Sequence, residues 1–134
     1  MEPVPVPQPE SQFYWQKASE GELWFRRCNS CGKIYFYPRD ICPGCFSRDT
    51  SWMKSSGQGT LYSFAIVHRP PTPAWREAVP YIVAIVELEG GVRIPTNLVD
   101  IDPDPEKIHI GMLVDVTFKK MTDQISIPIF IPRI

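Results

Sequence analysis

Cys28-x-x-Cys31 and Cys42-x-x-Cys45 are the residues of this chain best suited to chemistry, and they account for all four of its cysteines. The pairs stand ten residues apart, with Gly32, Pro43 and Gly44 placed to turn the backbone tightly at each. Each pair then presents two sulfurs at the tip of a turn. Two such tips facing one another give the tetrahedral four-sulfur set that zinc prefers. Iron fits the same ligands, but the short gap favours a ribbon around zinc. A disulfide framework needs an oxidising compartment, and the start Met-Glu followed by alternating prolines reads as no secretory leader. A redox Cys-x-x-Cys ordinarily stands alone rather than as a matched pair. Zn2+ is therefore the expected cofactor, and the expected compartment is the cytoplasm. Four thiolates close the coordination sphere, so this zinc should be structural. It would replace the apolar core that a unit of about 35 residues is too small to build.

Committing every cysteine to metal removes the thiol nucleophiles. The chain also lacks a G-x-S-x-G elbow, a G-x-x-x-x-G-K-[ST] phosphate loop and an H-E-x-x-H pair. Its two histidines are the remaining imidazoles. His109 lies beside a turn rich in Asp and Pro and reads as exposed. His68 ends a strand next to Arg69 and a rigid Pro70-Pro71, where a structural role is commoner than a catalytic one. No base and nucleophile stand together, and the chain does not read as an enzyme.

The elements that must position the cysteines are mainly strands. Fifteen prolines in 134 residues is about twice the usual share, and few long helices survive that density. Proline at positions 3, 5, 7 and 9 makes residues 1–10 a flexible extended arm. Ser11 stands where it would cap a short helix over Gln12–Ala18, stopped by Gly21. Phe13, Tyr14 and Trp15 cannot all share one face of it, since successive residues are about 100° apart. One or more of the three is expected to meet another chain. Leu23–Arg27 reads as a strand leading into the cysteines, and Thr50–Gln58 as a link containing Trp52 and a Ser-Ser-Gly run. The expected units are the helix and ribbon over residues 11–54 and a second unit over 55–134.

The second unit reads as strands throughout. Gly59–His68 is β-branched and aromatic, and Arg69-Pro70-Pro71 stops it. Tyr81–Leu88 is a nearly continuous apolar run, as a strand buried on both faces would be. Glu89-Gly90-Gly91 then turns the chain into Val92–Val99 as a hairpin. Met112–Phe118 and Ile125–Ile131 alternate with period two, and Pro128 sets the last strand at an edge or bulge. Five strands without a long helix close most economically into a small barrel.

The formal charge is −1, and zinc-bound thiolates make it more negative, which argues against duplex nucleic acid as a partner. Apolar runs such as Tyr81–Val86 are far too short to span a membrane as a helix.

The order of local motifs carries a resemblance. Arg27-Cys28-x-x-Cys31-Gly32, Tyr37-Pro38-Arg39 and Cys42-Pro43-x-Cys45 are similar to the family called domain of unknown function 35. So are Gly59-x-Leu61-Tyr62-Ser63-Phe64, Val67-His68-Arg69-Pro70-Pro71, Pro80-Tyr81, Val92-Arg93, Asn97-Leu98-Val99 and Ile110-Gly111-Met112. The resemblance covers residues 11–132. It implies a mainly β protein with an N-terminal helix, a rubredoxin-like zinc ribbon and a five-stranded oligonucleotide/oligosaccharide-binding (OB-fold) barrel. Asp100–Lys107 departs from it, being too short and proline-rich for the helix usual between the third and fourth strands. The family resembles non-catalytic partners of thiolase-fold enzymes acting on coenzyme A thioesters, and some members are paired with hydratases. The implied partners are a thiolase-fold subunit and a coenzyme A thioester, with this chain helping to bind or channel the acyl-CoA substrate.

Arg69, Arg76 and Arg93 are the candidates for the coenzyme's phosphates, through forked hydrogen bonds. Trp75 or Tyr81 would line its apolar part or stack on adenine, with His68 beside them. The loop Arg69–Pro80 would form the rim, while Phe13, Tyr14 and Trp15 are the candidates for docking. The alternative function is single-stranded nucleic-acid binding, in which aromatics on a barrel stack bases.

Overall fold

A computed structural model describes residues 4–133. The helix α1, Gln12–Ser19, opens the chain. Gly21, at φ +84°, turns the backbone out of it. Ser11 occupies the N-cap position, but its hydroxyl does not cap the helix. Instead Ser11 Oγ accepts the Gln8 backbone N–H at 3.0 Å and is wholly buried, tying the end of the arm to the helix start.

Three strands follow: β1 (Trp24–Cys28), β2 (Ile34–Tyr35) and β3 (Thr50–Lys54), in the sheet order β2-β1-β3. The expected link over Thr50–Gln58 is therefore corrected. Its first half is a strand paired with β1 from Trp24↔Lys54 to Cys28↔Thr50. Trp52, opposite Arg26 in that register, carries the guanidinium at 4.7 Å from its ring. Tyr14 and Trp15 enter the core, at 1% and 7% exposure. Trp15 donates its indole N–H to the Tyr37 hydroxyl at 2.9 Å. Phe13 is half-buried against Trp24 and Trp52. The docking role expected of Tyr14 and Trp15 is thus overturned, because helix, ribbon and barrel share one core that absorbs both.

The barrel is closed in the order β4-β5-β6-β8-β7. Its strands are β4 (Gln58–Val67), β5 (Tyr81–Glu87), β6 (Arg93–Leu98), β7 (Leu113–Lys120) and β8 (Ser126–Pro132). β5 is not buried on both faces as its composition suggested. Ile82, Ala84 and Val86 point inward, while Val83 is exposed on the outer wall. A closed barrel has one inner face, and the outer one meets water. β8 pairs with β7 over its whole length, but with β6 through the single register pair Leu98↔Phe130. Pro128 sits in this strand, where a missing N–H costs little on the thinly paired side. Residues 100–107 form turns without a helix, held by Lys107 donating to Asp102 at 2.6 Å. Among the described residues, no helix is long and apolar enough to cross a membrane.

One carboxylate fastens the segment that runs from the ribbon into the barrel. Glu89, in the turn after β5, accepts from the Ser55 hydroxyl and from the backbone N–H (3.2 Å) and hydroxyl (2.7 Å) of Ser56. Ser55 is buried, and its own N–H reaches Leu23 O at 2.8 Å. Glu89→Ala would leave that hydroxyl without its acceptor, at an expected cost of about 1–3 kcal/mol. Urea denaturation of the zinc-loaded chain measures this, and a variant as stable as wild type would remove the latch.

Candidate functional site

The metal centre is built twice from the same local pattern. In the first turn Gly32 N–H bonds Cys28 O at 2.9 Å and Cys28 N–H bonds Lys33 O at 2.8 Å. In the second, Phe46 N–H bonds Cys42 O and Cys42 N–H bonds Ser47 O, each at 2.9 Å. Backbone amides also point at the sulfurs, Cys31 N to Cys28 Sγ at 3.4 Å and Gly44 N to Cys42 Sγ at 3.3 Å. Such donors favour the thiolate. Cys31's amide holds the Cys28 thiol down at about 6. Cys45 receives a backbone hydrogen bond at Ser47, yet the Cys28 sulfur and burial push it up to about 12. A metal-free cluster therefore keeps protons that zinc must displace.

The geometry fits the ion. Zinc–sulfur bonds of about 2.3 Å set tetrahedral sulfurs roughly 3.8 Å apart. Here Cys28 and Cys45 sulfurs stand 3.5 Å apart, Cys31 and Cys42 sulfurs 3.7 Å, and all four lie within 4.8 Å of one another. Cys28 and Cys42 are buried, Cys31 and Cys45 exposed. The donor set is that of a closed, structural zinc site.

A second feature lies on the barrel's outer wall. A cleft of about 300 Å³ opens where β6 and β8 part, lined by Ala78, Tyr81, Ile101, Ile127 and Ile129, among others. Its polar lining is Asn97, whose amide is already bonded to Ile82 O at 2.9 Å, and Lys119. The loop carrying Arg69 and Arg76 returns through Ala78 and Pro80 to form one wall.

Of the six residues proposed for the coenzyme, five share this end of the barrel. His68 and Arg69 follow Val67, which pairs with Tyr81, and Arg76 and Trp75 lie in the connecting loop. Both arginines and His68 are exposed, whereas the Trp75 side chain lies outside the described residues. Arg93 does not join them. It stands at the far end of β5, paired with Glu87 at 3.2 Å, its guanidinium 3.9 Å over Tyr62.

Sequence reading missed the cleft's isoleucines, which register only as strand alternation. It also missed Phe46, which is 76% exposed beside the metal. The signal was available: Phe46 follows Cys45 where Gly32 follows Cys31.

Comparison with known proteins agrees with this construction. Residues 15–51 match the family described as ChsH2, rubredoxin-like zinc ribbon domain, and residues 52–119 that described as ChsH2, C-terminal OB-fold domain. A Thermomonospora curvata protein named probable enoyl-CoA hydratase alpha subunit is 36% identical over 134 residues. That is 100% of this chain but 41% of the relative, so the chain spans less than half of it. A Methanocaldococcus jannaschii protein named DUF35 domain-containing scaffold protein is 41% identical over 99 residues, 72% of this chain and 67% of that one. In the solved structure titled Ltp2-ChsH2(DUF35) aldolase, a chain 35% identical superposes with a TM-score of 0.82, covering 97% of this chain and 99% of that one. With zinc ribbon, closed barrel and sequence in agreement, the chain belongs to the DUF35 family, in the ChsH2 form of a rubredoxin-like ribbon followed by an OB-fold.

Proposed function

We propose that this chain is a non-catalytic accessory subunit of a thiolase-fold enzyme complex acting on an acyl-CoA thioester. Residues 11–54 would serve docking and residues 55–134 the substrate. The observation that carries the reading is the near end-to-end likeness to a chain of the Ltp2-ChsH2(DUF35) aldolase structure. Two features of the molecule support it. A four-thiolate metal site has no open position for a reacting group. The barrel cleft is apolar, with Arg69 and Arg76 on the loop that walls it, an arrangement suited to an apolar arm ending in phosphates.

A second reading keeps the thioester and exchanges the partner for a hydratase. The Thermomonospora relative, similar to this chain over its full length, is named a hydratase subunit. Nucleic-acid binding has weaker support, since Tyr62, the barrel's one strongly exposed aromatic among the described residues, lies under Arg93.

The test is reconstitution. The zinc-loaded chain is expected to co-elute with a thiolase-fold subunit and to show no carbon–carbon cleavage alone. Arg69→Ala or Arg76→Ala should raise KM for the CoA substrate by about tenfold with assembly intact. Turnover by the isolated chain would overturn the reading. Co-elution with a hydratase would select the second, and a salt-dependent shift on oligonucleotides the third.

A further inference from the structure

Phe46 and Gly32 occupy the same slot in the two metal-binding turns. Each follows the second cysteine of its pair, each donates its N–H to the first cysteine's carbonyl at 2.9 Å, and each has positive φ, 79° at Gly32 and 64° at Phe46. Glycine adopts this conformation without cost, whereas a bulky aromatic is strained there. Within the chain nothing compensates for the strain. The Phe46 ring is 76% exposed, and Ile41, entering the same turn, is 38% exposed. A large apolar side chain that strains its own backbone and leaves most of its surface in water has its use outside the chain.

The surroundings indicate what it meets. Lys33 runs alongside Gly44, its Cδ 3.1 Å from where a Cβ would stand, and Arg48 follows Phe46 by two residues. Both are exposed, and neither forms an ion pair among the described residues. The bond between Ser30 and Ser47 hydroxyls at 2.9 Å and the metal ligands hold the two turns together, so the ring and both cations are presented on a rigid tip. One exposed aromatic on the same tip as two cations complements an apolar pocket bordered by carboxylates. A nucleic-acid strand would instead call for successive stacking aromatics along a basic groove.

We propose that the second zinc turn is a docking tip, in which Phe46 inserts into an apolar pocket of the enzyme subunit while Lys33 and Arg48 face acidic residues at the pocket's rim. The inference rests on the accessory-subunit reading and relocates its anchor from Tyr14 and Trp15 to Phe46.

Phe46→Gly separates binding from folding, because it relieves the strained backbone while removing the anchor. With the purified complex of this chain and its thiolase-fold subunit as reference, Phe46→Gly should keep one zinc per chain and melt at the same temperature or higher. Its affinity for the subunit should fall by at least about tenfold. The Lys33→Glu, Arg48→Glu double variant should weaken the complex and flatten its salt dependence. Unchanged affinity in Phe46→Gly overturns the docking tip while leaving the accessory reading standing. Failure of the wild-type chain to bind the subunit at all overturns both. Binding of a fluorescent oligothymidine by wild type, lost in Phe46→Gly, would reassign the tip to nucleic acid and overturn the proposal as well.

Discussion

Replacing Cys42 with Ser should empty the metal site and unfold the ribbon, the largest single effect expected in this protein. Cys42 is wholly buried, accepts the Gly44 amide at 3.3 Å, and its sulfur stands 3.7 Å from that of Cys31. A serine hydroxyl offers zinc a poor, protonated ligand in place of a thiolate. Around the metal itself the buried cluster is only Cys28, Tyr35 and Cys42, separate from the main core that Phe25 of β1 joins. Structural zinc contributes about 10–16 kcal/mol in zinc-finger peptides, as large as a whole domain's usual margin of about 5–15 kcal/mol. Metal analysis should find less than a tenth of a zinc per chain, on the order expected for so large a loss. Far-UV circular dichroism should register the lost ribbon strands. Full occupancy with a native spectrum, or a wild-type chain loaded with iron, would contradict the structural-zinc assignment.

The second large effect is expected at Tyr14. Truncation to Ala removes a ring packed edge-on against Trp15, Phe36 and Tyr37 at centroid distances of 4.9, 5.5 and 5.7 Å. Burial also raises the phenol's pKa well above its usual value, with the neighbouring Tyr37 adding to the effect. Aromatic-to-alanine changes in a core cost about 3–5 kcal/mol. The urea midpoint should fall accordingly, and any loss of partner binding should follow the loss of fold. A stable, zinc-loaded Tyr14→Ala chain that has lost only its partner would restore the helix as a docking element.

The cysteine site was legible because its information is local: four ligands, two short gaps and turn residues between them. The barrel was legible because period-two alternation survives in Met112–Phe118 and Ile125–Ile131. What failed depended on contacts distant in sequence. Thr50–Lys54 runs into Ser55-Ser56-Gly57 and reads with it as a link, yet the chain needs a third ribbon strand beside β1, and no local pattern announces that neighbour. Three consecutive aromatics in α1 exceed what one helix face can hide. Helix, ribbon and barrel nonetheless pack as one core and bury two of them. Arg93 resembled Arg69 and Arg76 as a residue type, but the strand register places it at the opposite end of β5.

The thin join between β6 and β8 gives the barrel a mechanical asymmetry. The wall is sealed along most of its circumference, but this seam has the one register pair Leu98↔Phe130, supported by the Val99 N–H on Phe130 O at 2.9 Å and the Thr96 hydroxyl on Pro128 O at 3.0 Å. The cleft straddles that line, with Asn97 on one lip and Ile127 and Ile129 on the other. On its other side β8 is paired along its whole length with β7, and β7 joins β4 from Gln58↔Asp115 to Thr60↔Leu113. Any widening of that groove would have to work against α1, which packs on β7 and β8 as well as on β1 and so ties that side of the seam to the ribbon.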